Sequence, residues 1–142
     1  VLDGDNVRMG LNADLGFAPA DREENIRRIG EVARLFVDSG AVVLCAFISP
    51  YRADRASARA LMPASFVEVF VDPGLDVAEA RDPKGLYKRA RRGEIPAFTG
   101  VSAPYEAPEA PELRVDTGAL SLDQSVAAVL DHLQRAGIVP AP

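Results

Sequence analysis

Apolar and polar positions alternate between two periods along the chain. "AVVLCAFIS" (41–49) and "FVEVFVD" (66–72) are short apolar runs rich in β-branched residues, and "ELRVDT" (112–117) is a shorter third. Such runs predict strands, and the continuous apolar character of 41–49 predicts burial on both faces. Val1 and Leu2 read as the end of a further buried strand, which Asp3, Gly4, Asp5 and Asn6 leave abruptly. Between these runs the apolar residues recur at helical spacing. Ile26, Ile29, Ala33, Phe36 and Val37 mark a helix over 21–38, with Asp21 and Glu24 as a capping box and Gly40 just past its end. Residues 53–62 form a shorter helical stretch closed by Pro63. The last helix spans 121–136, with Ser121 and Gln124 at its cap, Val126, Val129, Leu130 and Leu133 on its buried face, and Gly137 as its stop.

Strand, helix, strand, helix, strand predicts an α/β fold: a parallel sheet with helices on both faces, in a single domain over 1–142. Ligands of such sheets bind beyond the carboxyl ends of the strands. That rule places "DGDNVR", "SPYR" and "DPGLD" on one rim. Residues 82–112 break the alternation and carry Pro83, Pro96, Pro104, Pro108 and Pro111. A stretch this long without regular structure is a functional loop in most compact domains, often a lid. Its first half is basic, with Lys84, Lys88, Arg89, Arg91 and Arg92. A charge run of this kind is usually a solvated face. Beside the expected rim of an acidic protein, a cationic lid over a polyphosphate is the better reading.

Composition narrows the function classes. The 142 residues are 48% hydrophobic and 26% charged, which suits an ordinary core. A net charge of −5 argues against general binding to nucleic acid or to an anionic membrane. Cys45 is the single cysteine, so no internal disulfide is expected, and it reads as a small buried hydrophobe. His132 is the single histidine and reads as structural or exposed. No apolar run reaches the roughly 18 residues that span a bilayer, and no signal peptide is visible, so the cytoplasm is the expected compartment.

The candidate chemistry sits in residues 1–28. Asp3 and Asp5 at a strand tip can hold magnesium or accept a proton from a substrate hydroxyl. Arg8, Arg22, Arg27 and Arg28 follow, and arginine forks suit phosphate and sulfate oxygens. Phe17 lies among them in a loop rich in turn residues, where a base could stack while the arginines take an anion. Each feature has a structural rival. Asp3 can cap a turn, Phe17 and Phe98 can be core aromatics, and Arg27, Arg28 and Arg34 can be helix-surface charges.

In order and spacing, "LDGDNVR", "DLGF", "DREENIRR", "FISPYR", "RDPKGLYK", "FTG" and "PYE" resemble the adenylylsulfate kinase (APS kinase) family across nearly the whole chain. The resemblance implies a three-layer P-loop kinase fold with a basic lid over about 82–112. It implies transfer of the γ-phosphate of ATP, with Mg2+, to the 3′-hydroxyl of adenosine 5′-phosphosulfate in sulfate assimilation. It also implies site residues. Arg8, Arg22 and Asn25 match positions that hold the phosphosulfate and ribose, and Phe17 and Phe98 match the pair that sandwiches the adenine. Ile48 and Ser49 line the same pocket, and Lys84 and Thr99 reach into it from the lid. Asp5 matches the carboxylate near the 3′-hydroxyl, with Asp3 beside it, and Ser49 is a conceivable catalytic or phosphorylated serine. Arg81 opens the lid, where related kinases stack an arginine on the ATP adenine. A homodimer, and fusion to or association with ATP sulfurylase, are implied in the same way.

The chain also departs from the family pattern. The phosphate-cradling loop GxxGxGK[ST] occurs nowhere in the 142 residues. The expectation is therefore that the numbering starts inside a longer chain, or that a partner fills the gap. "IPAFTG" stands where the family commonly shows "IKGFTG", placing Pro96 and Ala97 in the lid, and "GVSAPYE" brings Ser102 and Ala103. Two further readings stay open: a non-catalytic, allosteric nucleotide-binding domain of a sulfate-activating protein, and a structural domain without a ligand.

Overall fold

The computed structural model describes residues 1–140. The chain divides into two compact units, Val1–Phe66 and Val67–Pro142. In the first, β1 (Leu2–Asp3) runs into the single-turn helix α1 (Gly4–Val7). A turn-rich loop leads to the long helix α2 (Pro19–Asp38), then β2 (Cys45–Ala46) and α3 (Arg52–Leu61). β1 and β2 pair in parallel, Leu2 opposite Cys45 and Asp3 opposite Ala46. In the second unit, β3 (Val69–Val71) is followed by α4 (Leu75–Arg81) and α5 (Leu86–Arg91), then β4 (Leu113–Val115) and α6 (Leu122–Arg135). β3 and β4 are also parallel, Val69 opposite Leu113 and Val71 opposite Val115. Among the described residues the strands form these two parallel pairs, where the alternation pattern predicts one continuous sheet.

The three predicted helices are present within a residue or two of their expected bounds. The buried face of α2 consists of Asn25, Ile26, Ile29, Gly30 and Ala33, and the helix packs on α3. Gly30 permits that approach, because a Cβ there would stand 2.9 Å from Leu61 Cδ1. Phe36, expected on the buried face, is exposed. The start of α2 is also corrected. Its N-cap is Ala18 with Pro19 at the first position, so Asp21 and Glu24 do not form a capping box. Proline needs no amide there, and its fixed φ starts the turn. Glu24 pairs instead with Arg27 and Arg28 further along the helix.

The capping box of α6 is present as expected. Gln124 N donates to Ser121 Oγ at 3.2 Å, and Ser121 N donates to Gln124 Oε1 at 2.9 Å. The helix packs on β4, yet none of its residues is fully buried. Val126 and Leu130 are exposed, while Val129 and Leu133 are half-buried. Its inward face is thus narrower than the periodicity suggests.

The run 41–49 differs most from expectation. Only Cys45–Ala46 pairs as a strand, and both residues are exposed. Val42, Leu44 and Ile48 are exposed as well. β2 has β1 on one edge and no described strand on the other. Cys45 is therefore not the buried hydrophobe that its apolar neighbours imply. Residues 82–112 are also more ordered than expected. Asp82 accepts from Tyr87 N at 3.0 Å and Lys88 N at 3.1 Å, closing the first turn of α5 with its carboxylate.

Candidate functional site

In the first unit the candidate residues converge on the loop between α1 and α2. Asp3 is the N-cap of α1, and its Oδ1 accepts from Asp5 N at 2.9 Å and Asn6 N at 3.4 Å. An aspartate cap satisfies amides that a helix start leaves without partners. Asp5 is thereby fixed in the first turn of α1, with its residue surface exposed. Arg8 follows that turn. Its Nη1 donates to Leu15 O at 2.9 Å and to Gly16 O at 3.1 Å, which folds the loop back over it.

Phe17 is 60% exposed. The Arg8 guanidinium lies 4.4 Å from its ring centroid and that of Arg22 lies 5.7 Å away. Arg22 Nε also donates to Phe17 O at 3.0 Å, which ties the ring to the first turns of α2. Asn25 stands one turn further on, 6% exposed, and its Oδ1 accepts from Asn12 Nδ2 at 3.0 Å. The structure therefore gathers Arg8, Phe17 and Arg22 into one cluster, an exposed ring with two guanidiniums over it, while Asn25 lies one turn further along α2 and bonds to Asn12. Such a ring can stack a base, and the guanidiniums can bind an anion in fork geometry.

Ile48 and Ser49 stand at the turn after β2. Ser49 adopts φ +39°, a left-handed conformation that a serine holds only under constraint, and Arg55 Nη1 donates to its carbonyl at 2.7 Å. Ile48 is exposed.

In the second unit Arg81 ends α4, and its Nη2 donates to Thr117 O at 2.7 Å. Lys84 is exposed between α4 and α5. Phe98 is half-buried and meets Tyr87 edge-on, with ring centroids 5.1 Å apart. Phe98 N donates to Ser102 Oγ at 3.0 Å, and Phe98 O accepts from Val101, Ser102 and Ala103. Thr99 bridges to Ala103 within this turn. Ala97 holds φ +52°. The arginines of the basic run have acidic neighbours: Arg89 and Arg92 both pair with Glu94, and Arg91 pairs with Glu79.

Asn12 and Arg55 were not singled out by the sequence pattern; Arg28 was read as an anion-binding candidate or a surface charge, and Ser102 only as a departure from the family pattern. Arg28 instead clamps the loop, with Nη1 2.7 Å from Asp14 Oδ1 and 3.1 Å from Leu11 O. Nothing in the polar stretch "GLNADLGF" marks Asn12 as fully buried. Among the described residues, no group of three or more His, Cys, Asp or Glu is placed to hold a metal ion. Asp3 Oδ1 is committed to the cap. Magnesium needs only one or two carboxylates beside substrate phosphates, so it enters as part of the Mg–ATP donor, with Asp5 as the carboxylate nearest the acceptor in the resemblance.

The sequence profile of the family described as adenylylsulphate kinase matches residues 1–116. The chain belongs to the adenylylsulphate kinase family. It is 61% identical over 136 residues to the adenylyl-sulfate kinase of Geotalea uraniireducens, covering 95% of this chain and 65% of that protein. It is 59% identical over 142 residues to the bifunctional enzyme NodQ of Azospirillum brasilense, covering 99% of this chain and 23% of that protein. The chain thus spans just under two thirds of the first relative and about a quarter of the second. Among solved structures, the Mycobacterium tuberculosis APS kinase CysC in complex with AMPPNP and APS aligns with a TM-score of 0.89 at 50% identity. That alignment covers 94% of this chain and 78% of the other. The α/β class expected from the alternation, and the P-loop kinase fold of adenylylsulphate kinases, are thereby shown.

Proposed function

We propose that the protein transfers the γ-phosphate of ATP to the 3′-hydroxyl of adenosine 5′-phosphosulfate, giving 3′-phosphoadenosine 5′-phosphosulfate and ADP. The observation that carries this reading is the Arg8–Phe17–Arg22 cluster, one helical turn before Asn25 in α2. It is an exposed ring with two guanidiniums over it, on the family positions that the resemblance gives to the acceptor. In this reading Phe17 stacks the adenine, Arg8 and Arg22 take the phosphosulfate, and Asn25 donates to the nucleotide. Asp5 accepts the proton of the 3′-hydroxyl or orients it, so that the oxygen attacks the γ-phosphorus as ADP leaves. Asp3 serves by capping α1 and holding Asp5 in its turn. Ile48 and Ser49 contribute to the acceptor surface, and Ser49 has no further chemistry assigned. Lys84, Phe98 and Thr99 are carried as nucleotide contacts and Arg81 as an ATP contact, each tested by its own alanine variant. Function in the cytoplasm, a homodimeric state and association with ATP sulfurylase belong to the same proposal.

The test is ATP-dependent formation of the 3′-phosphorylated product, separated by chromatography. Turnover by the wild type and its loss in Asp5→Ala support the reading. The rival reading is a binding module without turnover. Calorimetric binding of adenosine 5′-phosphosulfate, with no product from Mg–ATP, would select it.

A further inference from the structure

Asn12 is 0% exposed and Asn25 6% exposed, an unusual depth for two amides on a loop and the helix after it. Asn12 Nδ2 donates to Asn25 Oδ1 at 3.0 Å. That bond decides which way the Asn25 amide faces, because its oxygen is committed to Asn12. The Asn25 Nδ2 has no protein acceptor among the described residues, yet it is not sealed from solvent. A donor in that state is poised for a ligand. Asn12 is held in turn by its backbone. Its N donates to Val7 O at 2.8 Å, and its O accepts from Leu15 N at 3.1 Å. These anchors lie beside Arg8 and in the loop whose carbonyls Arg8 grips.

Asn12 also carries a cost. Its Oδ1 is fully buried with no hydrogen-bond partner. An apolar residue of similar size would avoid that penalty. Among the described residues, the hydrogen bond that the amide makes to another side chain is the one to Asn25. We propose that Asn12 is a positioning residue: it locks Asn25 with Nδ2 presented to the acceptor nucleotide. This rests on the acceptor-site reading above. Without the lock, Asn25 can flip and turn its oxygen toward an anionic ligand, replacing an attraction with a repulsion.

Two variants separate positioning from plain structural support. Asn12→Leu removes both the lock and the orphan oxygen. It leaves Asn25 Oδ1 without a donor, which offsets the relief, so it is expected to melt cooperatively near the wild-type temperature while binding adenosine 5′-phosphosulfate at least tenfold more weakly by calorimetry. Asn12→Asp keeps the shape but has no donor for Asn25 Oδ1. The Asn25 amide is expected to flip and donate to it, with a similar loss of affinity. Binding by either folded variant within twofold of wild type overturns the proposal. So does loss of a cooperative melt in both variants, which would make Asn12 merely structural. Failure of the wild-type chain itself to bind this nucleotide overturns the acceptor-site reading first, and the proposal with it. Weak binding by the variants beside a binding wild type is the supporting result.

Discussion

Phe17 is a large apolar side chain left open to solvent, which is unfavourable unless something covers it. Two guanidiniums lie over the ring, yet the residue stays 60% exposed. Base–aromatic stacking contributes roughly 1–3 kcal/mol per base. Phe17→Ala is therefore expected to weaken adenosine 5′-phosphosulfate binding about tenfold or more, with little change in melting temperature, as calorimetry and a thermal melt would show. Ala97 presents the opposite case, a residue whose backbone works against its side chain at φ +52°. The left-handed region costs a residue with a Cβ roughly 1–2 kcal/mol, more than the roughly 0.4–1 kcal/mol that a glycine loses in chain entropy. Ala97→Gly is expected to stabilise the protein by about 0.5 kcal/mol, measured by denaturant unfolding. The residues of the "IPAFTG" turn were visible in the sequence as departures from a family pattern. The strain at Ala97, and Ser102 Oγ bracing Phe98 N, became visible only from the dihedral angle and the hydrogen bond.

Helices report how local and tertiary signals divide. The α6 cap is a local signal, and the structure makes both of its bonds. Ser121→Ala is expected to cost about 1 kcal/mol of stability in denaturant unfolding. The α2 start looked equally local, yet Pro19 sets it, and Glu24 is drawn into ion pairs. Arg27 and then Arg28 hold the Glu24 carboxyl down from 4.5 to about 2. A carboxyl depressed in the folded state binds its proton more readily when unfolded. Its contribution is therefore complete above the usual glutamate range and is lost as the pH falls from 4.5 toward about 2. The melting temperature of the wild type should fall more steeply over that window than that of Glu24→Gln. The pair is exposed, so added salt should shrink the difference.

At the scale of the whole molecule, an acidic chain carrying a local cationic cluster should select small anionic nucleotides over polyanions. Adenosine 5′-phosphosulfate is expected to raise the melting temperature with a saturating concentration dependence, and duplex DNA at matched ionic strength to leave it unchanged. The sequence by itself determined the three longest helices, the parallel α/β class, the acidic balance and the family. These follow from periodicity, caps and ordered motifs, all of which are local or collinear with the chain. It also located Arg8, Phe17 and Arg22 as candidates, because arginines around an aromatic in a turn-rich loop are legible as chemistry, and the family resemblance added Asn25. Only the tertiary structure decided that Asp3 caps α1, that the run 41–49 is largely uncovered, and that the lid arginines face Glu79 and Glu94. Only it brought Asn12 onto Asn25 across 13 positions of sequence. Burial and hydrogen-bond partnership depend on which segments meet in space, and no periodicity along the chain encodes that.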